Sequence, residues 1–203
     1  MICQLDHLVV AARTLNEGVG HVSRLLGCDL QAGGKHTRMG THNALLSLGP
    51  DCYLEVIAID PDAPPPPQPQ PRWFGLDGFK GVPRLVHWVA RTSDIEASRP
   101  AHCRVLDMER GDFRWRFAVT LDGVPDLDGT VPALIQWQAG GHPCNRLPDH
   151  GLRLRRLSLG HDQPQRLHGE LARLGLADQV SIAANGPALK AEIQVGGKIV
   201  ELR

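Results

Sequence analysis

Two histidines, one carboxylate and one amide recur at matched places inside otherwise apolar runs. His7 lies in Leu5-Asp6-His7-Leu8-Val9-Val10-Ala11, and His87 in Leu85-Val86-His87-Trp88-Val89-Ala90-Arg91. Glu55 lies in Cys52-Tyr53-Leu54-Glu55-Val56-Ile57-Ala58-Ile59, and Gln136 in Ala133-Leu134-Ile135-Gln136-Trp137-Gln138. The interval from His7 to His87 agrees with that from Glu55 to Gln136 to within one residue. A buried imidazole or carboxylate needs a partner, because desolvating it alone is costly. Four such groups converging on one hollow would satisfy one another through a bound cation. Two imidazoles, a carboxylate and an amide oxygen suit a borderline divalent ion such as Zn, Fe, Mn, Co or Ni. The competing reading makes each an interior side chain with ordinary hydrogen bonds.

The elements that position these residues can be read from periodicity. After the first β-rich run, Thr14 and Glu17 stand at capping-box spacing. Leu15, Val19, Val22 and Leu26 form one helical face, and Gly27 stands where a helix C-terminal glycine is expected. A short strand is expected around Cys28 to Ala32, broken by Gly33-Gly34. Two more follow, Asn43 to Leu48 and Cys52 to Ile59, joined at Gly49-Pro50-Asp51. The order is β-α-β-β-β. Pro61 to Pro71 cannot supply a ladder of donors and reads as an extended surface linker. The pattern then restarts at Leu85 to Arg91. Ser93-Asp94-Ile95-Glu96 begins a short helix that Pro100 interrupts, and Phe113 to Thr120 and Ala133 to Gln138 are strands. A third βαβββ-like copy runs from Leu152 to the C-terminus, with Leu167, Leu171 and Leu174 as its helical face. The expected division is 1–60, linker 61–82, 83–140 and 151–203. One such unit cannot cover both faces of its own sheet, so the modules must pack together.

Bulk properties narrow the function classes. Lys plus Arg and Asp plus Glu both number 22, so no net charge draws the chain to nucleic acid or an anionic membrane. The N-terminus lacks a basic and then apolar leader, and no run approaches the ~18 apolar residues of a membrane helix. Five widely spaced cysteines fit free thiols and a cytoplasmic protein better than a disulfide framework. His142-Pro143-Cys144 has half of a zinc deaminase motif, but Leu147 stands where the second cysteine would be.

The βαβββ order, the Leu-Asp-His-Leu-Val-Val opening and the Tyr-Leu-Glu-Val strand resemble the vicinal oxygen chelate superfamily, and most closely its glyoxalase-like branch. Met39-Gly40-Thr41-His42-Asn43, Arg72-Trp73-Phe74-Gly75-Leu76 and His87-Trp88-Val89-Ala90 carry the same likeness. The resemblance implies an α+β fold in which paired modules curl into a half-barrel. It implies metal ligands at His7, Glu55, His87 and Gln136, with Glu55 also moving a proton and the ion polarising a small substrate with adjacent oxygens. That would be a lyase, an isomerase or an oxygenase. His42 either orients substrate or is hydrogen-bonded across the sheet. Gln136 stands where a second carboxylate is common in the superfamily. In the third copy the matching slots hold Arg156 and Glu201, expected to form an ion pair in a structural module. The alternative function is a metal-free protein that binds or sequesters a small molecule; a homodimer is an expectation by analogy.

Overall fold

The computed structural model describes residues 3–64 and 70–203. The centre of the proline-rich linker, residues 65–69, lies outside them. Strand β1 (Gln4–Ala11) leads into helix α1 (Leu15–Leu26), which starts where Thr14 Oγ1 accepts the Glu17 N–H and stops at left-handed Gly27. Strands β2 (Gln31–His36), β3 (Thr41–Ser47) and β4 (Tyr53–Ile59) complete the first unit. The second has the same order: β5 (Arg84–Arg91), helix α2 (Ile95–Ser98), β6 (Cys103–Arg110), β7 (Phe113–Thr120) and β8 (Ala133–Ala139). Asp94 caps α2 by accepting the Ala97 N–H.

Two expectations change here. The Gly33-Gly34 pair lies inside β2 rather than ending a strand, because β2 bulges there and an added Cβ on Gly33 would come within 2.1 Å of Asn43 Oδ1. Strand β6 was not anticipated: as a sheet edge it presents Asp107 and Glu109 outward and carries the half-buried Arg104 on the same side as Leu106 and Met108, which masks its alternation.

The two units join through antiparallel β1 and β5, giving one curled eight-stranded sheet of order β2-β3-β4-β1-β5-β8-β7-β6. Each half shows the same internal order, so the first and second modules are the pair that forms the half-barrel. The concave face is lined by Val9, Ile57, Val89, Trp115 and Ile135, and is filled by a segment preceding β5, Trp73–Gly78, through Trp73, Phe74 and Leu76.

The C-terminal unit consists of β9 (Arg153–Gly160), α3 (Pro164–Arg173), β10 (Ser181–Ala183), β11 (Leu189–Val195) and β12 (Lys198–Leu202). Its element order repeats that of the other units, but its sheet order, β10-β9-β11-β12, does not. It packs on the opposite face of the large sheet, where Leu157, Leu167 and Ile193 share a core with Leu8, Leu54 and Trp88. The expected Arg156–Glu201 pair is absent among the described residues. Glu201 instead meets Lys190 at 3.2 Å and Arg203 at 2.8 Å, because Glu192 lies between β9 and β12 in the register. No helix among the described residues is long and apolar enough to cross a membrane.

Candidate active site

The concave end of β1 carries a buried polar cluster. The β1–β5 register slips between Leu5 and His7, leaving Asp6 wholly buried beside His7. Asp6 Oδ1 accepts from His7 Nδ1 at 2.7 Å, and its Oδ2 accepts from Trp137 Nε1 at 3.0 Å and His142 Nε2 at 3.1 Å. Burial works to raise this carboxyl, and the hydrogen bonds from His142 and His7 more than reverse it, holding it below the usual carboxylate range. An ionised Asp6 fixes the proton of His7 on Nδ1 and turns Nε2 toward the concave face. There Nε2 lies 3.6 Å from Glu55 Oε2, and the imidazole is stacked on Tyr53 at 4.5 Å.

Glu55 is held from its other side. Asn43 Nδ2 donates to Glu55 Oε1 at 2.5 Å, while Asn43 Oδ1 accepts the Gly34 N–H at 3.0 Å. Register explains the alignment: Thr41, Asn43 and Leu45 of β3 face the same side as Glu55 and Ile57 of β4. The Gly33-Gly34 bulge makes room for the Asn43 amide and brings His36 into the cluster. Nε2 of His36 faces the donors Asn43 Nδ2 (3.5 Å) and Arg110 NH1 (3.4 Å), so Nδ1 carries the proton and donates to Thr41 Oγ1 at 3.1 Å. Burial pushes His36 down to about 3, with positive Arg110 adding to the effect, so the ring is neutral. Arg110 ends β6 on the concave side, against Phe113 and Trp115, with no ion-pair partner among the described residues. His7, Glu55, His36 and Arg110 surround a cavity with about 20 Å³ open to the centre of a water molecule, room for roughly one water.

The other expected site residues lie elsewhere. His87 is on the concave face but is tied at both nitrogens: Nδ1 donates to Gly129 O and Nε2 accepts the Ala133 N–H, each at 3.1 Å. Burial pushes it down to about 4. It borders a second cavity, and Trp73, Phe74 and Phe117 line both. Gln136 points to the opposite face, where its amide donates to Ser93 O at 2.7 Å and accepts the Ile95 N–H at 3.2 Å. Its neighbours Ile135 and Trp137 face the cavity instead. His42 alternates with Asn43 and so faces away from Glu55; its Nε2 is buried without a hydrogen-bond partner among the described residues.

The four-ligand cation set therefore does not fit. Two of its members meet, one is consumed by backbone, one is on the wrong face, and a guanidinium stands beside the pair. His36, His142, Asp6 and Arg110 are the residues that sequence reasoning missed. Their signals were Asp6 next to His7, and a histidine two residues beyond a glycine pair.

The sequence matches the glyoxalase-like domain over residues 5–175. No curated protein matches it. Among solved structures, a hypothetical protein from Staphylococcus aureus aligns at 14% identity and TM-score 0.59, over 98% of this chain and 84% of that one. Methylmalonyl-CoA epimerase from Mycobacterium tuberculosis aligns at 19% identity and TM-score 0.45, over 68% and 89%. A variant of the Streptomyces coelicolor enzyme of that name, in complex with 2-nitronate-propionyl-CoA, aligns at 18% and 0.44, over 70% and 100%. At these identities the structural likeness speaks to the fold alone. With the curled, paired βαβββ units and a match across most of its length, the chain belongs to the glyoxalase-like domain family.

Proposed function

We propose that this protein is an isomerase or lyase that moves a proton on a small molecule with adjacent oxygens, using His7 and Glu55 as the proton-carrying groups. The observation that carries this reading is the Asp6–His7–Glu55 alignment. A buried, ionised carboxylate orients the imidazole, whose free nitrogen faces a second carboxylate across 3.6 Å. Glu55 is the base that removes a proton from carbon, and His7 exchanges a proton with the neighbouring oxygen. Asp6 acts through His7 and is a positioning residue. Arg110, the cation beside this pair, stabilises the oxyanion that develops or holds an anionic oxygen of the substrate.

A cavity of one water's size is a closed form of the site. Trp73 and Phe74 close it, and Phe74 (φ 59) and Gly75 (φ 66) are both left-handed. For a phenylalanine that conformation is strained by ~1–3 kcal/mol. Such a segment is suited to move aside when substrate enters.

The test is wash-in of solvent deuterium, followed by proton NMR, at the carbon beside the carbonyl of a panel of small 2-oxo acids and 2-hydroxy ketones. The expected result is exchange with at least one compound, reduced ~10²–10⁴-fold in Glu55→Gln. Exchange that is undiminished in Glu55→Gln would overturn the proposal, as would a wild-type protein that binds panel members without exchanging any proton.

A further inference from the structure

Away from the concave site, three side chains of different chemistry meet at the mouth of the second module. His102 sits in the turn before β6, Cys103 is the first residue of β6, and Asp126 begins the short helical turn Asp126–Gly129. His102 Nε2 and Asp126 Oδ2 are 2.6 Å apart, and one ligand atom from each of the three residues lies within 4.8 Å of the others. No other group of three histidine, cysteine or acidic side chains among the described residues meets that condition. We propose that His102, Cys103 and Asp126 bind a borderline divalent cation of the zinc class, independently of the proton-transfer site.

The donor set is one imidazole nitrogen, one sulfur and one carboxylate oxygen, which suits Zn or Co and leaves a fourth tetrahedral position for water. Cys103 is buried, while His102 and Asp126, paired with each other, are partly exposed. On binding, the Cys103 S–H bond breaks, a sulfur–metal bond forms, and the proton goes to solvent. His102 and Asp126 border a cleft of about 220 Å³ that Glu170, Arg166 and Arg173 also line.

The loop that Asp126 starts gives the ion a task. Leu127 (φ 45) and Asp128 (φ 56) are left-handed without being glycine, and Gly129 (φ 85) follows them. Gly129 O receives the proton of His87, and Thr130 O receives that of Trp88. A cation joining Asp126 to the start of β6 would hold this strained loop, and with it the bonds that lock His87.

Chelator-treated full-length protein, kept reduced, is titrated with Co(II) and followed by absorption. The expected result is one equivalent bound, a near-ultraviolet thiolate-to-metal band, visible bands of a tetrahedral ion, and displacement by Zn(II). Cys103→Ser removes the thiolate band and weakens binding at least tenfold. His102→Ala also weakens it about tenfold, and as a change to an exposed side chain it guards against a misfolded Cys103 variant. His7→Ala leaves band and affinity unchanged. A wild-type protein with no thiolate band, a band that survives Cys103→Ser, or one that disappears in His7→Ala would overturn the proposal.

Discussion

His7 and His87 open equivalent strands of the two modules and face the same hollow, yet their surroundings give them opposite tasks. His7 has one nitrogen fixed by a buried carboxylate and the other facing Glu55 across the cavity. His87 spends both nitrogens on backbone, on the Gly129 carbonyl and the Ala133 amide. The first arrangement leaves a basic nitrogen facing the cavity; the second is a cross-brace between β5, β8 and the loop before β8. Equivalence of position in a repeated fold thus fixes where a side chain points, and its neighbours decide what it can do.

The comparison can be broken from either side. Replacing Asp6 by Asn on the His7 side has the largest expected effect. It removes the buried charge that the donors His7, Trp137 and His142 share, costing about 3–5 kcal/mol in the denaturant midpoint and also lowering deuterium wash-in. On the other side, His87→Ala strands the buried Gly129 carbonyl and the half-buried Ala133 amide, costing about 2–3 kcal/mol by the same measurement. The pH dependence of unfolding sharpens the contrast. His87 and His36 titrate near 4 and 3 when folded and near 6.5 when unfolded. Between pH 6.5 and about 4 the unfolded chain therefore takes up protons that the native state refuses. Stability falls as pH falls through that window, by up to about 1.4 kcal/mol per unit for each group. His87→Gln should flatten that slope. Asp6 contributes lower down: its folded value is depressed, so its stabilisation is complete above about pH 4 and is lost on further acidification. Gln136→Ala has the smallest effect, about 1 kcal/mol or less from two amide bonds to the start of α2, with the concave cluster untouched.

Where an element has a buried apolar face and a cap, its sequence is enough. The Thr14 cap, the Gly27 stop and a helix start within Ser93 to Glu96 were all readable, and of the four matched polar residues the structure brings His7 and Glu55 together. Three misreadings have physical causes. Gly33-Gly34 looks like a breaker, but the missing Cβ atoms are what let β2 bulge over the Asn43 amide, so His36 went unnoticed. Strand β6 lies at a sheet edge and alternates charge with apolar residues too irregularly to announce itself. Gln136 was matched to Glu55 with an interval one residue longer than that between the histidines. In a strand, one residue is the difference between the two faces. His7 is bonded to its neighbour Asp6, but the partners that lock His87, Gly129 and Ala133, and those that hold Asp6, Trp137 and His142, are distant in sequence, and no local pattern announces them.

The most direct measurement compares His7→Gln with His87→Gln on one substrate of the deuterium assay, with melting temperature recorded on the same samples. The account predicts that His7→Gln loses exchange by about a hundredfold or more while still melting cooperatively, and that His87→Gln melts at lower temperature yet exchanges at near the wild-type rate while folded. Exchange that survives His7→Gln, or that falls equally in both variants, would contradict it.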